Sequence, residues 1–247
     1  MEHIHRFRMI PVVVALSFAT AFGGAQANPP ASPTSNGSNP PPPNAKLDGN
    51  LFYEILLGEV TTRTGDPGAG YALILDAARR SRSEQLYQRA ADIALQSRSG
   101  EYALAAAKAW QEDHPQSREA NRYVLQILIA LNKVGETAGP LRQFIEQAPL
   151  PNRVGILSAV PQMYGRIADK ATAVSAVKEA FKGELENRST GAAAWISLGR
   201  LQLAADDKAA SLQSLAKAKA MDPAYEGQAR LALELMDEGI SAAEPFV

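Results

Sequence analysis

The chain has 247 residues, a formal net charge of −1 and no cysteine, and 46% of its residues are hydrophobic. The lack of cysteine excludes structural disulfides, cysteine-ligated zinc, thiol nucleophiles and a lipid anchor on an acylated cysteine. The near-neutral charge and the lack of a basic stripe are not typical of nucleic-acid-binding proteins, so no nucleic-acid partner is expected.

Residues 1–27 have the pattern of a cleavable secretory signal. Two arginines precede the apolar core Met9–Phe22, and Ala25-Gln26-Ala27 fits a cleavage site before Asn28. The apolar core is shorter than the roughly 20 residues that a membrane-spanning helix needs. We therefore expect export through a cleaved signal, with no stable membrane insertion afterwards.

Residues 28–46 are rich in proline, serine, asparagine and glycine, and contain no aliphatic residue larger than alanine. Such a segment cannot bury enough apolar surface to offset the entropy lost on ordering. The run Pro40–Pro43 favours extended polyproline II geometry. The composition predicts a disordered linker, and a docking motif for a proline-binding partner is the alternative.

Residues 47–240 are predicted to form an all-α domain. Apolar residues such as Leu51 and Ile55 recur at helical spacing, and no alternating run is long enough for a strand. Abundant alanine suits helices that approach one another closely. Residues 241–247 are predicted to be a disordered tail.

The stretch Gly191–Pro223 sets the period of this domain. Trp195, Leu198 and Gly199 have the spacing W-x2-L-G, and Ala218 and Pro223 follow at the second helix and its end. This is the pattern of a helix–turn–helix repeat of roughly 34 residues.

The period continues towards the amino terminus. Pro115 and Pro149 are 34 residues apart, and Leu57-Gly58 repeats the pair Leu198-Gly199. The interval from Pro149 to Pro223 exceeds two periods by about six residues, so one repeat between them is irregular. That repeat contains Pro161, which predicts a kinked or divided helix.

Over roughly Asn50–Gly239 the chain resembles the tetratricopeptide repeat family. The resemblance implies an α-solenoid of about five helix-turn-helix repeats with a C-terminal capping helix. The copy around Trp195 departs from the family pattern, with Gln202 where an aromatic residue is usual and Ser211 where an alanine is usual. A non-repeating all-α bundle is the structural alternative.

The combination of signal, proline-rich spacer and alanine-rich repeats is similar to exported repeat proteins of Gram-negative bacteria. This resemblance implies a non-catalytic periplasmic scaffold that binds a peptide or partner protein in the groove lined by the first helices. The alternatives are a structural subunit of a cell-envelope assembly, which uses its convex face or stack ends, and an accessory factor to an envelope hydrolase.

The family's groove positions, carried onto this chain, give a candidate partner-binding set. Arg122 and Arg200 are the candidate anchors for a partner's carboxylate or backbone. The alternative for each position is ordinary packing between repeats or solvation. The set comprises Gln88, Asp92, Arg122, Gln126, Ile129 and Arg200.

No catalytic, metal or cofactor site is expected. His114 is the only histidine after residue 27, and it lies in Asp113-His114-Pro115 at a predicted helix end, where an imidazole suits the helix dipole. No metalloprotease, nucleophile-elbow or phosphate-loop motif is present. Carboxylate pairs such as Asp206-Asp207 fit a solvated turn better than an acid–base pair, which needs a cleft.

Overall fold

The structure is a computed structural model that describes residues 49–247; the predicted signal and linker lie outside the described residues. Within 49–247 the chain forms helices and turns and no strand. The helices are α1 (Gly49–Arg63), α2 (Pro67–Ser81), α3 (Glu84–Gln96), α4 (Gly100–Asp113), α5 (Arg118–Ala130), α6 (Ala138–Glu146), α7 (Leu150–Met163), α8 (Lys170–Ala180), α9 (Lys182–Leu185), α10 (Gly191–Ala204), α11 (Lys208–Met221) and α12 (Gly227–Asp237), with 3₁₀ turns at Val134–Glu136 and Ser241–Phe246.

The helices form a stack of hairpins. The pairs α1–α2, α3–α4, α5–α6 and α10–α11 pack against each other, and α2, α4 and α11 also contact the helix that follows them. Aspartate caps fix three of the second helices, because Asp66 accepts from the Ala69 amide at 2.9 Å, Asp169 from the Thr172 amide at 2.9 Å and Asp207 from the Ala210 amide at 3.0 Å. Helices α7 and α8 form the fourth repeat and both pack against α10, so the stack has five repeats followed by α12 and the predicted all-α solenoid is confirmed.

Small residues at the predicted signature positions allow close packing within the hairpins. A Cβ atom on Gly199 would lie 2.7 Å from Leu231 Cδ2 and 3.3 Å from Ser214 Cβ. A Cβ atom on Gly58 would lie 2.9 Å from the Ile74 side chain. A Cβ atom at either position would therefore force a neighbouring side chain to shift.

The other signature residues also lie at repeat contacts. Leu198 and Ala218 are fully buried, and Trp195 is half-buried with its indole N–H donating to the Leu185 carbonyl at 3.1 Å. The Lys217 ammonium lies 4.2 Å from the centre of the Trp195 ring. The prolines Pro115, Pro149 and Pro223 each lie between a second helix and the next first helix.

The irregular repeat is the one formed by α7, α8 and α9. From the start of α7 to the start of α10 there are 41 residues, whereas 34 separate the starts of α3 and α5. The predicted excess is therefore present, but the additional residues follow α8 rather than lying at Pro161. The second arm of this repeat is not one helix, since it breaks at Phe181 into α8 and α9.

A buried ion pair holds the additional segment in place. Glu184 of α9 accepts from Arg153 Nη1 of α7 at 2.9 Å and from the Thr190 hydroxyl at 2.5 Å. Arg153 also donates to the carbonyl of Glu146, the last residue of α6, at 2.8 Å. These bonds tie α6, α7 and α9 together.

Helix α7 is not divided at Pro161, although the sequence allowed for this. The helix is continuous from Leu150 to Met163. Proline has no N–H to donate to the carbonyl four residues earlier. That carbonyl, on Leu157, instead accepts from the buried Ser197 hydroxyl of α10 at 2.7 Å. In the stack α7 accordingly packs mainly against α10.

The tail is ordered, contrary to the predicted disorder of residues 241–247. Ser241–Phe246 forms a 3₁₀ turn in which Ala243 is completely buried against α11 and α12. The Lys219 ammonium donates to the Pro245 carbonyl at 2.7 Å and lies 4.9 Å from the centre of the Phe246 ring. The tail packs here because α12 has no second helix of its own to cover it.

Candidate functional site

Consecutive first helices are joined by polar contacts at the predicted groove positions. Glu59 of α1 pairs with Arg89 of α3 through two bonds of 2.6 and 2.7 Å. Hydrogen bonding to Arg89 holds the pKa of the Glu59 carboxyl below its usual range. Further along the stack Arg200 of α10 pairs with Glu234 of α12 at 2.8 and 3.1 Å.

Three of the six predicted groove residues belong to these contacts. Asp92 of α3 accepts from the Tyr123 hydroxyl of α5 at 2.9 Å, and Gln88 donates to the same hydroxyl at 3.1 Å. Arg200 is held by Glu234. The structure thus places Gln88, Asp92 and Arg200 in contacts between repeats, where a partner would have to compete with a bond already made.

The other three predicted residues lie on α5, beside the irregular repeat. Arg122 pairs with Glu119 of its own helix, with Nε 3.0 Å from the carboxylate, and its Nη1 lies 3.5 Å from Gln126 Oε1. Gln126 is exposed. Ile129 is partly buried in the same apolar cluster as Phe144 of α6. Arg122 therefore forms its hydrogen bonds within α5, whereas Gln88, Asp92 and Arg200 bond to residues of another first helix.

Two cavities border the exposed face of α7. The first, of about 590 Å³, lies between α6 and α7 and is mainly apolar. The second, of about 850 Å³, lies between α7, α10 and α12 and is mainly polar. The first is lined by Phe144, Pro151, Gly155, Ile156, Ala159 and Met163. The second is lined by Ser158, Gln162, Arg200, Arg230, Glu234 and Asp237.

Small side chains separate the two cavities. Gly155, Ser158 and Ala159 are exposed on α7, and nothing lies within 4 Å of the place where a Cβ on Gly155 would stand. Residues three and four positions apart share one face of a helix, so these three residues form a low ridge with Gln162 at its end. A partner's backbone can approach α7 closely along this ridge.

The polar cavity carries more acidic than basic groups. Arg200 and Arg230 both lie near Glu234, at 2.8 and 3.3 Å, while Asp237 and Glu238 add two further carboxylates. A partner's carboxylate would have to displace Glu234 from Arg200. The cavity therefore favours a cationic side chain over the carboxylate for which Arg200 was the predicted anchor.

The described part of the chain shows no grouping suited to metal binding. No three histidine, aspartate or glutamate residues in 49–247 are placed to hold a metal ion together. His114 caps the end of α4, as predicted, and its Nε2 lies 2.8 Å from the Arg82 carbonyl. Over the same residues no helix has the length and apolarity to cross a membrane.

Sequence reasoning missed the residues that line the apolar cavity. Phe144, Ile156 and Met163 read as ordinary core positions of two amphipathic helices. The signal that could have found them was the broken period together with Pro161, which marked this repeat as the irregular one. It could not show that a cavity lies between α6 and α7.

No protein-family model matches the chain, and no curated protein matches it. Solved structures are similar to it at low identity. A MamA protein of Desulfovibrio magneticus RS-1, beginning at its residue 41, is 12% identical, with a TM-score of 0.40 over 73% of this chain and 99% of that one. A tetratricopeptide repeat protein of Parabacteroides merdae is 13% identical, with a TM-score of 0.40 over 80% of this chain and 77% of that one.

A third similar structure is TTC0263, a protein of Thermus thermophilus described as a thermophilic TPR protein. It is 15% identical, with a TM-score of 0.33 over 75% of this chain and 99% of that one. At the level of the fold, the stack of hairpins agrees with the resemblance drawn from Trp195, Leu198 and Gly199.

Proposed function

We propose that the chain is a non-catalytic scaffold that binds a peptide segment of a partner protein across the exposed face of α7. The observation that carries this proposal is the pair of cavities that border one low ridge, one apolar and one charged. Binding sites combine apolar concavity with a few polar groups that fix orientation. This site has both, at the irregular repeat of the stack.

The two cavities specify the chemistry of the peptide. An apolar side chain enters between Phe144, Ile156 and Met163, where burial of a leucine or phenylalanine contributes at most about 1.5–3 kcal/mol. The backbone crosses Gly155 and Ala159. A lysine or arginine on the other side of the ridge then faces Glu234 and its neighbouring carboxylates.

The proposal includes the place where binding occurs. Residues 1–27 support export to the periplasm through a cleaved signal. The mass of the protein recovered from a periplasmic fraction should correspond to a chain that begins at Asn28. Recovery of the uncleaved chain from the cytoplasm would contradict this part of the proposal. It would not test the proposed binding site.

Selection from a displayed peptide library on the purified protein tests the binding site. The selected peptides should share an apolar residue and, a few positions away, a basic one. In Ala159→Arg a long charged side chain stands on the ridge beside the apolar cavity. We expect this variant to bind a labelled selected peptide at least tenfold more weakly, as measured by fluorescence anisotropy.

Ala105→Arg is the matched control. Ala105 is an exposed alanine on α4, a second helix, so the same substitution there should leave peptide affinity within about twofold. Equal binding of the peptides by wild-type protein and Ala159→Arg would overturn the proposed site. A library that yields no specific peptide would overturn peptide binding by this chain.

A further inference from the structure

Helix α1 exposes an apolar face at the first end of the described stack. Five large side chains on this short helix are between 39% and 64% exposed. They occupy positions three and four apart and so share one side of the helix. We call this set the α1 face: Phe52, Tyr53, Leu56, Leu57 and Val60.

The same positions are buried elsewhere in the stack. If Leu57-Gly58 is aligned with Leu198-Gly199, the α1 face corresponds to five residues of α10 that are at most 5% exposed. These five residues are Ala193, Ala194, Ser197, Leu198 and Leu201. In α10 they pack against the preceding repeat, and α1 has no preceding repeat in the described chain. The α1 face is thus a repeat-to-repeat packing surface without its neighbour.

The charges of α1 do not point to a charged partner. Glu54 pairs with Arg80 of α2, and Glu59 pairs with Arg89 of α3. Both carboxylates are therefore bound within the chain, and the five residues of the α1 face include no ionisable group other than the Tyr53 phenol. The exposed Arg63 lies beyond them, in the last turn of α1. An uncharged apolar surface can pack against an identical surface without like-charge repulsion.

Other parts of this chain are poor candidates to cover the α1 face. Residues 28–46 contain no aliphatic residue larger than alanine, so they offer no large side chain to pack against it, and the apolar core Met9–Phe22 belongs to the signal whose cleavage is proposed above. The tail Ser241–Phe246 packs on α12 at the opposite end of the stack. It occupies the surface that a head-to-tail neighbour would need.

We infer that the α1 face binds a second copy of this chain, α1 against α1, about a two-fold axis. Since a whole aromatic side chain buries about 150–250 Å² and an aliphatic one less, the exposed parts of these two aromatic and three aliphatic side chains bury on the order of 400–500 Å² per protomer. This is less than the roughly 800 Å² per partner of a standard interface. The dimer is accordingly reversible and depends on concentration. The inference is independent of the proposed peptide site on α7.

Sedimentation velocity over a range of concentrations tests the inference. The full chain should be mainly dimeric at about 100 μM and monomeric at high dilution. The double variant Leu57→Glu with Val60→Glu should remain monomeric throughout, with an unchanged helical circular dichroism spectrum. Leu233→Glu with Met236→Glu makes the same change at two exposed apolar positions of α12 and should dimerise as the wild type does.

Because the chain has no cysteine, a single introduced one reports directly on the contact. Leu56→Cys should form a disulfide-linked dimer on mild oxidation, and Leu233→Cys should not. A monomer at every concentration, or equal cross-linking of both variants, would overturn the inference. Dimerisation only after deletion of residues 28–46 would also overturn it, because those residues would then be the natural cover of the α1 face.

Discussion

Pro161 and Ser197 form a pair of residues whose roles depend on each other. Proline withholds the N–H that would bond the Leu157 carbonyl, and the Ser197 hydroxyl supplies a donor from α10 at 2.7 Å. Leu157 and Ser197 are both buried, so water does not reach this carbonyl easily. Helix α7 is thereby fixed to α10 through the Leu157 carbonyl, which in a helix without proline would be bonded within α7.

Ser197→Ala should destabilise the protein by about 1–3 kcal/mol, because it leaves the buried Leu157 carbonyl without a donor. Adding Pro161→Ala should recover about 1 kcal/mol of this loss, since alanine restores the N–H within α7. The coupling between the two positions is obtained from the free energies of unfolding in urea of four proteins: the wild type, each single variant and the double variant.

Ser175→Ala is the control for loss of a serine hydroxyl, because Ser175 is exposed on α8. It should change the free energy of unfolding by no more than about 0.5 kcal/mol. Strictly additive effects of the Ser197 and Pro161 substitutions would show that Ser197 does not replace the missing helix bond.

At the scale of elements, the period of the stack was predictable and the structure of its irregular repeat was not. Trp195, Leu198 and Gly199 define a hairpin whose contacts are mostly within and between adjacent helices, so local spacing identifies it. The position of α9 after the break involves Glu184 instead, whose partner Arg153 is 31 residues away. The residue pattern of a single helix cannot predict an ion pair between two helices.

The candidate site shows the same division. The family's groove positions placed Gln88, Asp92 and Arg200 on the first helices, but the residues that bind them lie one repeat away on other first helices. A hydrogen bond between repeats, such as that between Asp92 and Tyr123, can be predicted from sequence only if residues about one repeat apart are examined as possible pairs. The cavities beside α7 could not be predicted, because they depend on how α7 packs against α6, α10 and α12.

The whole described molecule is built from three successive apolar clusters. The first runs from α2 to α5, the second from α5 to α10, and the third from α10 through α12 to the tail. Each shares one first helix with the next, so neighbouring repeats support each other and distant ones do not touch. In such a stack, stability is the sum of the repeats and their interfaces, and the ends open first.

The tail allows this arrangement to be tested. Ala243→Asp places a carboxylate at a completely buried position of the third cluster, among apolar side chains. Burial of an unpaired charge is unfavourable enough to detach the tail from α11 and α12. Hydrogen exchange of amides in α12 should then become at least tenfold faster, whereas α3 and α4, in the first cluster, should exchange at wild-type rates.

Ala242→Asp adds the same charge at the exposed neighbouring residue and should leave all these rates unchanged. Equal acceleration in α3 and α12 would mean that the stack unfolds as one unit, because a local change at one end would then be felt across all three clusters.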